Sequence, residues 1–180
     1  SAPDLAGQIT LLRLKVIEET LRRSGVATVS ARRIAEEAID VFLVARHQID
    51  FFDGAREALL SLADQFQLGA LSNGNADIRR LGLDNIFSFA FSAEQVGAPK
   101  PADNLFRAAL AHTSTDPHEM VYVGDDARLD MDPAKRLGLY TVWIRHADDA
   151  AIGEELPDAV VPHIRDVPEA INKLFLGSQR

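Results

Sequence analysis

At 180 residues, 47% hydrophobic and 26% charged, the chain has the size and balance of one globular domain, with or without a small lid. A net charge of −8 argues against broad contact with a phosphate backbone and so against nucleic acid as a partner. The absence of cysteine excludes disulfides, thiolate metal sites and cysteine nucleophiles. No apolar run approaches the roughly 18 residues that span a bilayer, so a cytoplasmic protein with no membrane partner is expected.

The first fifty residues read as helical. Leu14, Ile17 and Leu21 share a helical face, and Ser24-Gly25 ends that run. Ser30 is placed to cap a second helix carrying Ile34, Ala38, Val41, Phe42 and Ala45. Two such helices form a hairpin that covers something, so residues 1–50 are expected to be a cap and residues 51–180 a core. From Phe51 the rhythm changes. Asp53-Gly54 makes a turn, and Ala55, Ala58, Leu59 and Leu62 mark a helix. An apolar segment from Phe66 to Leu71 breaks at Ser72-Asn73-Gly74. A helix is predicted around Ala76 to Leu81, and a strand over Phe87 to Phe91. Leu105, Phe106, Ala109 and Leu110 mark another helix. Met120 to Val123 reads as a strand ending at Gly124-Asp125-Asp126, and Ala134 to Leu137 as a helix closed by Gly138. Strands over Tyr140 to Ile144 and Ala159 to Val161 precede a last helix from Val167 to Leu176. Short apolar strands alternating with helices predict an α/β fold, a Rossmann-like parallel sheet with helices on both faces.

In such sheets ligands bind at the carboxyl ends of strands. Three of those ends carry unusual residues. Leu71-Ser72-Asn73-Gly74-Asn75 offers a hydroxyl, an amide and backbone N–H groups at a strand-to-helix turn, which suits an anion. The same residues suit a plain turn. Lys100, between Pro99 and Pro101, has a restricted backbone and is placed to neutralise a phosphate. Read alone, it is better explained as a solvated surface lysine. Asp125, Asp126, Asp130 and Asp132 crowd one strand end and need a compensating cation or lysine. Hard oxygen ligands of this kind suit Mg²⁺, and acidic residues in the first turn of a helix are the alternative.

Hydroxyl, lysine and acidic cluster, in that order and each after a strand, are together far more specific than any one of them. In this respect the chain resembles hydrolases of the haloacid dehalogenase-like (HAD) superfamily with a small helical cap. The resemblance runs from the cap to the C-terminus. It implies that Ser72 hydrogen-bonds the transferring phosphoryl group, with Asn73 and Gly74 beside it at the substrate. Lys100 would neutralise the charge of nucleophile and phosphoryl group. Asp125 would ligate Mg²⁺, with Asp126, where relatives often carry Ser, on the metal side too. Asp130 would orient the lysine or support the metal shell. Ala102-Asp103 departs slightly from relatives, in which the acid often follows Lys-Pro directly.

The resemblance also implies a strand patterned Asp-x-Asp-x-Thr or Val upstream of the cap, its first Asp the nucleophile and its second the general acid/base. Nothing before Leu11 matches it. Asp4 follows no apolar strand and is not given that role. The expected fold is therefore a HAD core without its first, central strand, with unpaired edges that would favour a homo-oligomer. The implied activity is Mg²⁺-dependent phosphatase action on a small phosphorylated metabolite through an aspartyl phosphate, with the nucleophile supplied by an N-terminal segment outside this chain. The chain alone is then expected to be inactive. The alternatives are a metal-free 2-haloacid dehalogenase and a non-catalytic HAD-like module. His47, His112, His118, His146 and His163 are scattered and read as surface or satisfied groups, and Arg46-His47, near the hinge, as a solvated helix face, with a reach into the cleft as the alternative.

Overall fold

A computed structural model describes residues 9–146 and 153–177, with side chains through residue 175. Asp4 and the rest of the first eight residues lie outside that range. Helices α1 (Ile9–Arg23) and α2 (Thr28–Ala45) form the expected hairpin. Its details differ from the expectation. Helix α2 starts at Thr28 with Ala27 at its N-cap, so Ser30 lies inside the helix rather than at its cap. Its buried residues are Ala31, Ala35 and Ile39, while Val41 is 69% exposed and Phe42 38%. Small side chains let α1 and α2 approach closely, which turns the larger residues outward.

The remainder alternates strands and helices. After α3 (Ala55–Ala63) come β1 (Gly69–Ser72), β2 (Phe89–Ser92), α4 (Ala93–Val96) and α5 (Asn104–Thr113). Then follow β3 (Val121–Gly124), α6 (Asp132–Arg136), β4 (Tyr140–Ile144), β5 (Ala159–Val161) and α7 (Val167–Gly177). The strands over Tyr140–Ile144 and Ala159–Val161 match their predicted bounds, whereas β1 begins only at Gly69. The predicted helix at 76–81 is absent. Those residues make turns that end at Gly82, whose φ of 65° favours glycine.

Among the described residues the strand pairs are parallel, as predicted, but they fall into two sheets, β1–β2 and β3–β4–β5. Alternating side chains of β3 and β4 face two cores. On one face Leu62, Val142, Val161, Val167 and Ile171 pack with Val121 and Val123 beneath α3 and α7. On the other, Phe106, Ala134 and Leu139 pack with Leu71 and Tyr122 beneath α5 and α6. Between the two sheets lies a cleft of about 490 Å³, lined by Gly69 and Leu71 from β1 and by Val121, Tyr122 and Val123 from β3. Pairing thus breaks off between β1 and β3, leaving each with one ladder edge toward an apolar slot.

A loop anchor fixes the far side of the sheet. Asp158 accepts from Lys135 Nζ at 2.9 Å and from the Thr141 N–H at 2.8 Å and hydroxyl at 3.0 Å. Burial pushes its carboxyl upward, but the lysine and the Thr141 donors outweigh this and hold it below the usual aspartate value. A depressed folded-state value stabilises the fold above the unfolded value near 3.8, and the contribution is lost as pH falls through the folded-state value. Lys135→Met raises the folded value and narrows that window. Acid unfolding followed by circular dichroism is then expected to begin at higher pH than in the unsubstituted chain. An unchanged onset would count against the anchor. No described helix is long and apolar enough to cross a membrane.

Candidate active site

The carboxyl ends of β1 and β3 lie at the same end of the slot, tied together through Lys100. The Asn73 amide clamps the Lys100 backbone from both sides, accepting from its N–H at 2.7 Å and donating to its carbonyl at 3.0 Å. The Lys100–Pro101 peptide is cis. Lys100 Nζ donates to Asp130 Oδ1 at 2.5 Å and to the Tyr122 hydroxyl at 2.8 Å, and that hydroxyl donates to Asp130 Oδ1 at 3.1 Å. The Lys100 and Asp130 side chains are only 10% and 5% exposed. Burial, then the charge of Asp130, pushes the Tyr122 phenol far above its ordinary value, so it stays a neutral donor.

Asp130 reaches this position because the chain leaves β3 through one wide π-type turn, Ala127–Met131. The Asp126 carbonyl accepts from the Asp130 N–H at 2.9 Å and the Met131 N–H at 3.3 Å. Single turns of this kind recur at functional sites. Asp130 Oδ2 then accepts the Asp126 N–H at 3.2 Å. Gly124 makes room for it, since a Cβ there would sit 2.7 Å from Asp130 Cβ and 2.5 Å from Oδ2. Gly124→Ala is therefore expected to displace Asp130 and to cost about 1–3 kcal/mol, as overpacking does. Urea unfolding measures this, and a loss below roughly 0.5 kcal/mol, within the range of ordinary surface changes, would contradict the packing argument.

The acidic residues divide by surroundings. Asp125 is exposed and its side chain makes no described hydrogen bond, while its carbonyl accepts from Trp143 Nε1 at 3.0 Å. Trp143 is buried, and this donor fixes the strand end. Asp126 Oδ1 accepts from the Arg128 and Leu129 N–H groups, both at 2.9 Å, and so caps the turn. Buried Asp132 accepts from the Glu155 N–H at 2.9 Å, a structural role. Among the described residues no three acidic or imidazole groups converge on one metal position.

At the other strand end, Ser72 Oγ accepts from the Gly74 N–H at 2.9 Å. The hydroxyl thus shapes the turn with a lone pair and keeps its proton for an acceptor. No helix begins here, so the expected helix dipole is missing from this anion site. The expectation of a solvated Arg46-His47 face also fails. His47 Nε2 accepts the Asp77 N–H at 3.0 Å, which leaves Nδ1 to donate to the Leu43 carbonyl at 2.5 Å. It staples the end of α2 to the loop after β1.

Residues 12–144 match the haloacid dehalogenase-like hydrolase family. The chain belongs to this family. Among curated HAD relatives it is 28% identical to the Escherichia coli 5-amino-6-(5-phospho-D-ribitylamino)uracil phosphatase YigB, over 90% of this chain and 68% of that protein. It is 32% identical to a Thermus thermophilus phosphoserine phosphatase, over 86% of this chain and 63% of that one. The chain thus spans about two thirds of the length of these HAD proteins. A crystal structure of a Pseudomonas syringae 2-haloacid dehalogenase superposes with a TM-score of 0.88 at 35% identity, covering 96% of this chain and 75% of that chain. A HAD phosphatase from Thermococcus onnurineus, at 21% identity and a TM-score of 0.67, supports the fold alone.

Hydrogen bonds thus join Asn73, Lys100, Tyr122, Asp130 and the Asp126 N–H into one cluster, with Ser72 and Gly74 beside Asn73 in their own turn, while the Asp125 side chain stands apart, exposed. Tyr122 was missed, because an alternating strand position looks like core whether or not its hydroxyl is used. The donor role of Trp143 was missed for the same reason.

Proposed function

We propose that the chain is the larger part of a magnesium-dependent phosphatase of small phosphorylated metabolites. Residues 1–50 would form its cap and residues 51–180 its core. An upstream strand carrying the nucleophilic aspartate would run between β1 and β3. The observation that carries this reading is the buried Lys100–Asp130–Tyr122 cluster, whose tyrosine lines an apolar slot bordered by one free ladder edge each of β1 and β3. A four-residue strand is roughly 13 Å long, and its alternate side chains would enter the two existing cores. The phosphatase relatives named above support the chemistry.

In the proposed reaction the aspartate attacks phosphorus, a P–O bond forms and the ester P–O bond breaks, and water then hydrolyses the aspartyl phosphate. Lys100 sits where charge from the nucleophile and the equatorial oxygens accumulates, fixed there by Asp130, Tyr122 and the Asn73 clamp. The Ser72 hydroxyl donates its free proton to a phosphoryl oxygen. Asp125, exposed and unengaged, fits one carboxylate ligand of Mg²⁺, with the second oxygen of Asp126 beside it. Mg²⁺ takes one or two protein carboxylates plus water and substrate phosphate. When bound it would neutralise developing phosphoryl charge. The 180-residue chain alone would lack turnover.

The similarity to the Pseudomonas syringae structure favours a second reading, metal-free 2-haloacid dehalogenation. An exposed Asp125 beside Asp126 is of no use to a metal-free site. Phosphate release from p-nitrophenyl phosphate and chloride release from 2-chloropropionate, each with Mg²⁺ and with EDTA, separate the two in the full gene product. Mg²⁺-dependent phosphate release is expected, and EDTA-resistant chloride release would replace the phosphatase reading with the dehalogenase one.

A further inference from the structure

Among the described residues, a buried side-chain nitrogen or oxygen lacks a hydrogen-bond partner in three places: Arg13 Nη1, Arg46 Nε and Asn75 Oδ1. Native folds leave few such atoms, and each calls for an account. Here all of them belong to one region, where α1, the end of α2 and the loop after β1 meet. Asn75 Nδ2 donates to Thr10 Oγ1 at 2.7 Å. Arg13 follows Thr10 by three positions, on the same face of α1. The guanidinium carbon of Arg13 lies 4.6 Å from the centre of the Phe42 ring, and that of Arg46 lies 5.9 Å from it. A Cβ built on Gly74 would stand 3.6 Å from Arg46 Nη2 and 3.4 Å from Ser72 Oγ. The Arg46 guanidinium and the Ser72 hydroxyl therefore flank the same space beside Gly74.

Neither arginine has an ion-pair partner among the described residues, although acids outnumber bases 27 to 19. Partly buried cations without counter-charge are costly until an anion joins them. The Phe42 ring steadies both by a cation–π contact, which positions a guanidinium without consuming its N–H donors. The donors left free form a planar fork suited to carboxylate or phosphate oxygens.

We propose that Arg13 and Arg46 bind a second anionic group of the substrate. The substrate is then a phosphomonoester whose leaving group itself carries a carboxylate or a phosphate. Asn75 Oδ1 accepts from a hydroxyl or ammonium beside that group. This inference rests on the phosphatase reading and narrows it from any small phosphorylated metabolite to a doubly anionic one.

Steady-state kinetics on the full gene product test it with three probes: phosphoglycolate, 1,3-propanediol bisphosphate and the neutral ethylene glycol monophosphate. One or both anionic esters are expected to exceed the neutral ester at least tenfold in kcat/KM, and the better of the two tells carboxylate from phosphate. Arg13→Gln and Arg46→Gln are expected to raise KM for that ester at least tenfold with a much smaller change in kcat, and to bring the preference close to one. Arg46→Lys, which keeps the charge and loses the fork, is expected to fall between. Turnover of all three esters at similar kcat/KM would overturn this inference and leave the phosphatase reading standing, as would a preference that survives both glutamine variants. No turnover of any phosphomonoester would overturn both.

Discussion

Replacing Lys100 by methionine is expected to abolish turnover of the full gene product and to destabilise the fold by about 3–5 kcal/mol, the range for breaking a buried ion pair from one side. Methionine keeps much of the apolar stem, so the loss isolates the ammonium. Without it, buried Asp130 retains only the Tyr122 hydroxyl and the Asp126 N–H, at 3.1 and 3.2 Å. Two neutral donors do not offset the removal of a carboxylate from water. The cost is therefore that of an orphaned charge and not the net worth of the pair. Combining Lys100→Met with Asp130→Leu should accordingly recover much of the lost stability while leaving the protein inactive. Urea unfolding of both variants measures this. A single-variant loss below about 1 kcal/mol would mean that water reaches Asp130 and that the cluster is less enclosed than its geometry indicates.

Asp125→Asn is expected to give the opposite signature. Its carboxylate is exposed and makes no described hydrogen bond, so stability should move by no more than about 0.5 kcal/mol. The Trp143 contact uses the Asp125 carbonyl, which the substitution retains. In the proposed reaction, however, this carboxylate holds the cation, and phosphatase activity should fall about a thousandfold or more, the equivalent of several kcal/mol of charge stabilisation. Raised Mg²⁺ should restore part of that loss if the asparagine oxygen still ligates weakly. Activity within tenfold of the unsubstituted enzyme at every Mg²⁺ concentration would remove Asp125 from the metal site.

Much of the architecture was legible because strand period and chemistry coincide in this chain. The strand from Val121 to Gly124 is apolar and stops at an acidic run, and Tyr140–Ile144 is a continuous apolar segment of strand length. Ser72, Lys100 and Asp130 could be picked out because each follows such a strand. What joins them could not. The Asn73 clamp reaches 27 residues along the chain and the Lys100–Asp130 pair 30, and no local pattern encodes a pairing of that range. Position 76–81 looked helical because its spacing is, yet nothing packs it into a helix once Gly82 turns the chain. The α2 face was misjudged because two sets of apolar residues hold helical spacing, Ile34, Ala38, Val41, Phe42 and Ala45 on the one side and Ala31, Ala35 and Ile39 on the other, and it is the second set that is buried. Arg46 and His47 were read as solvated because long polar side chains usually are. Only the fold brings Gly74 and Asp77 against them.

The central claim is that a strand bearing the nucleophile completes the site between β1 and β3. Backbone amide hydrogen exchange tests it most directly, comparing the 180-residue chain with the full gene product over Gly69–Ser72 and Val121–Gly124. With an upstream strand paired on both edges, these amides are expected to exchange at least a hundredfold more slowly in the full product, and the upstream segment to contain Asp-x-Asp after an apolar run. Equal exchange in the two proteins, or a gene product without such a segment, would contradict the account and favour a non-catalytic role for this HAD-like chain.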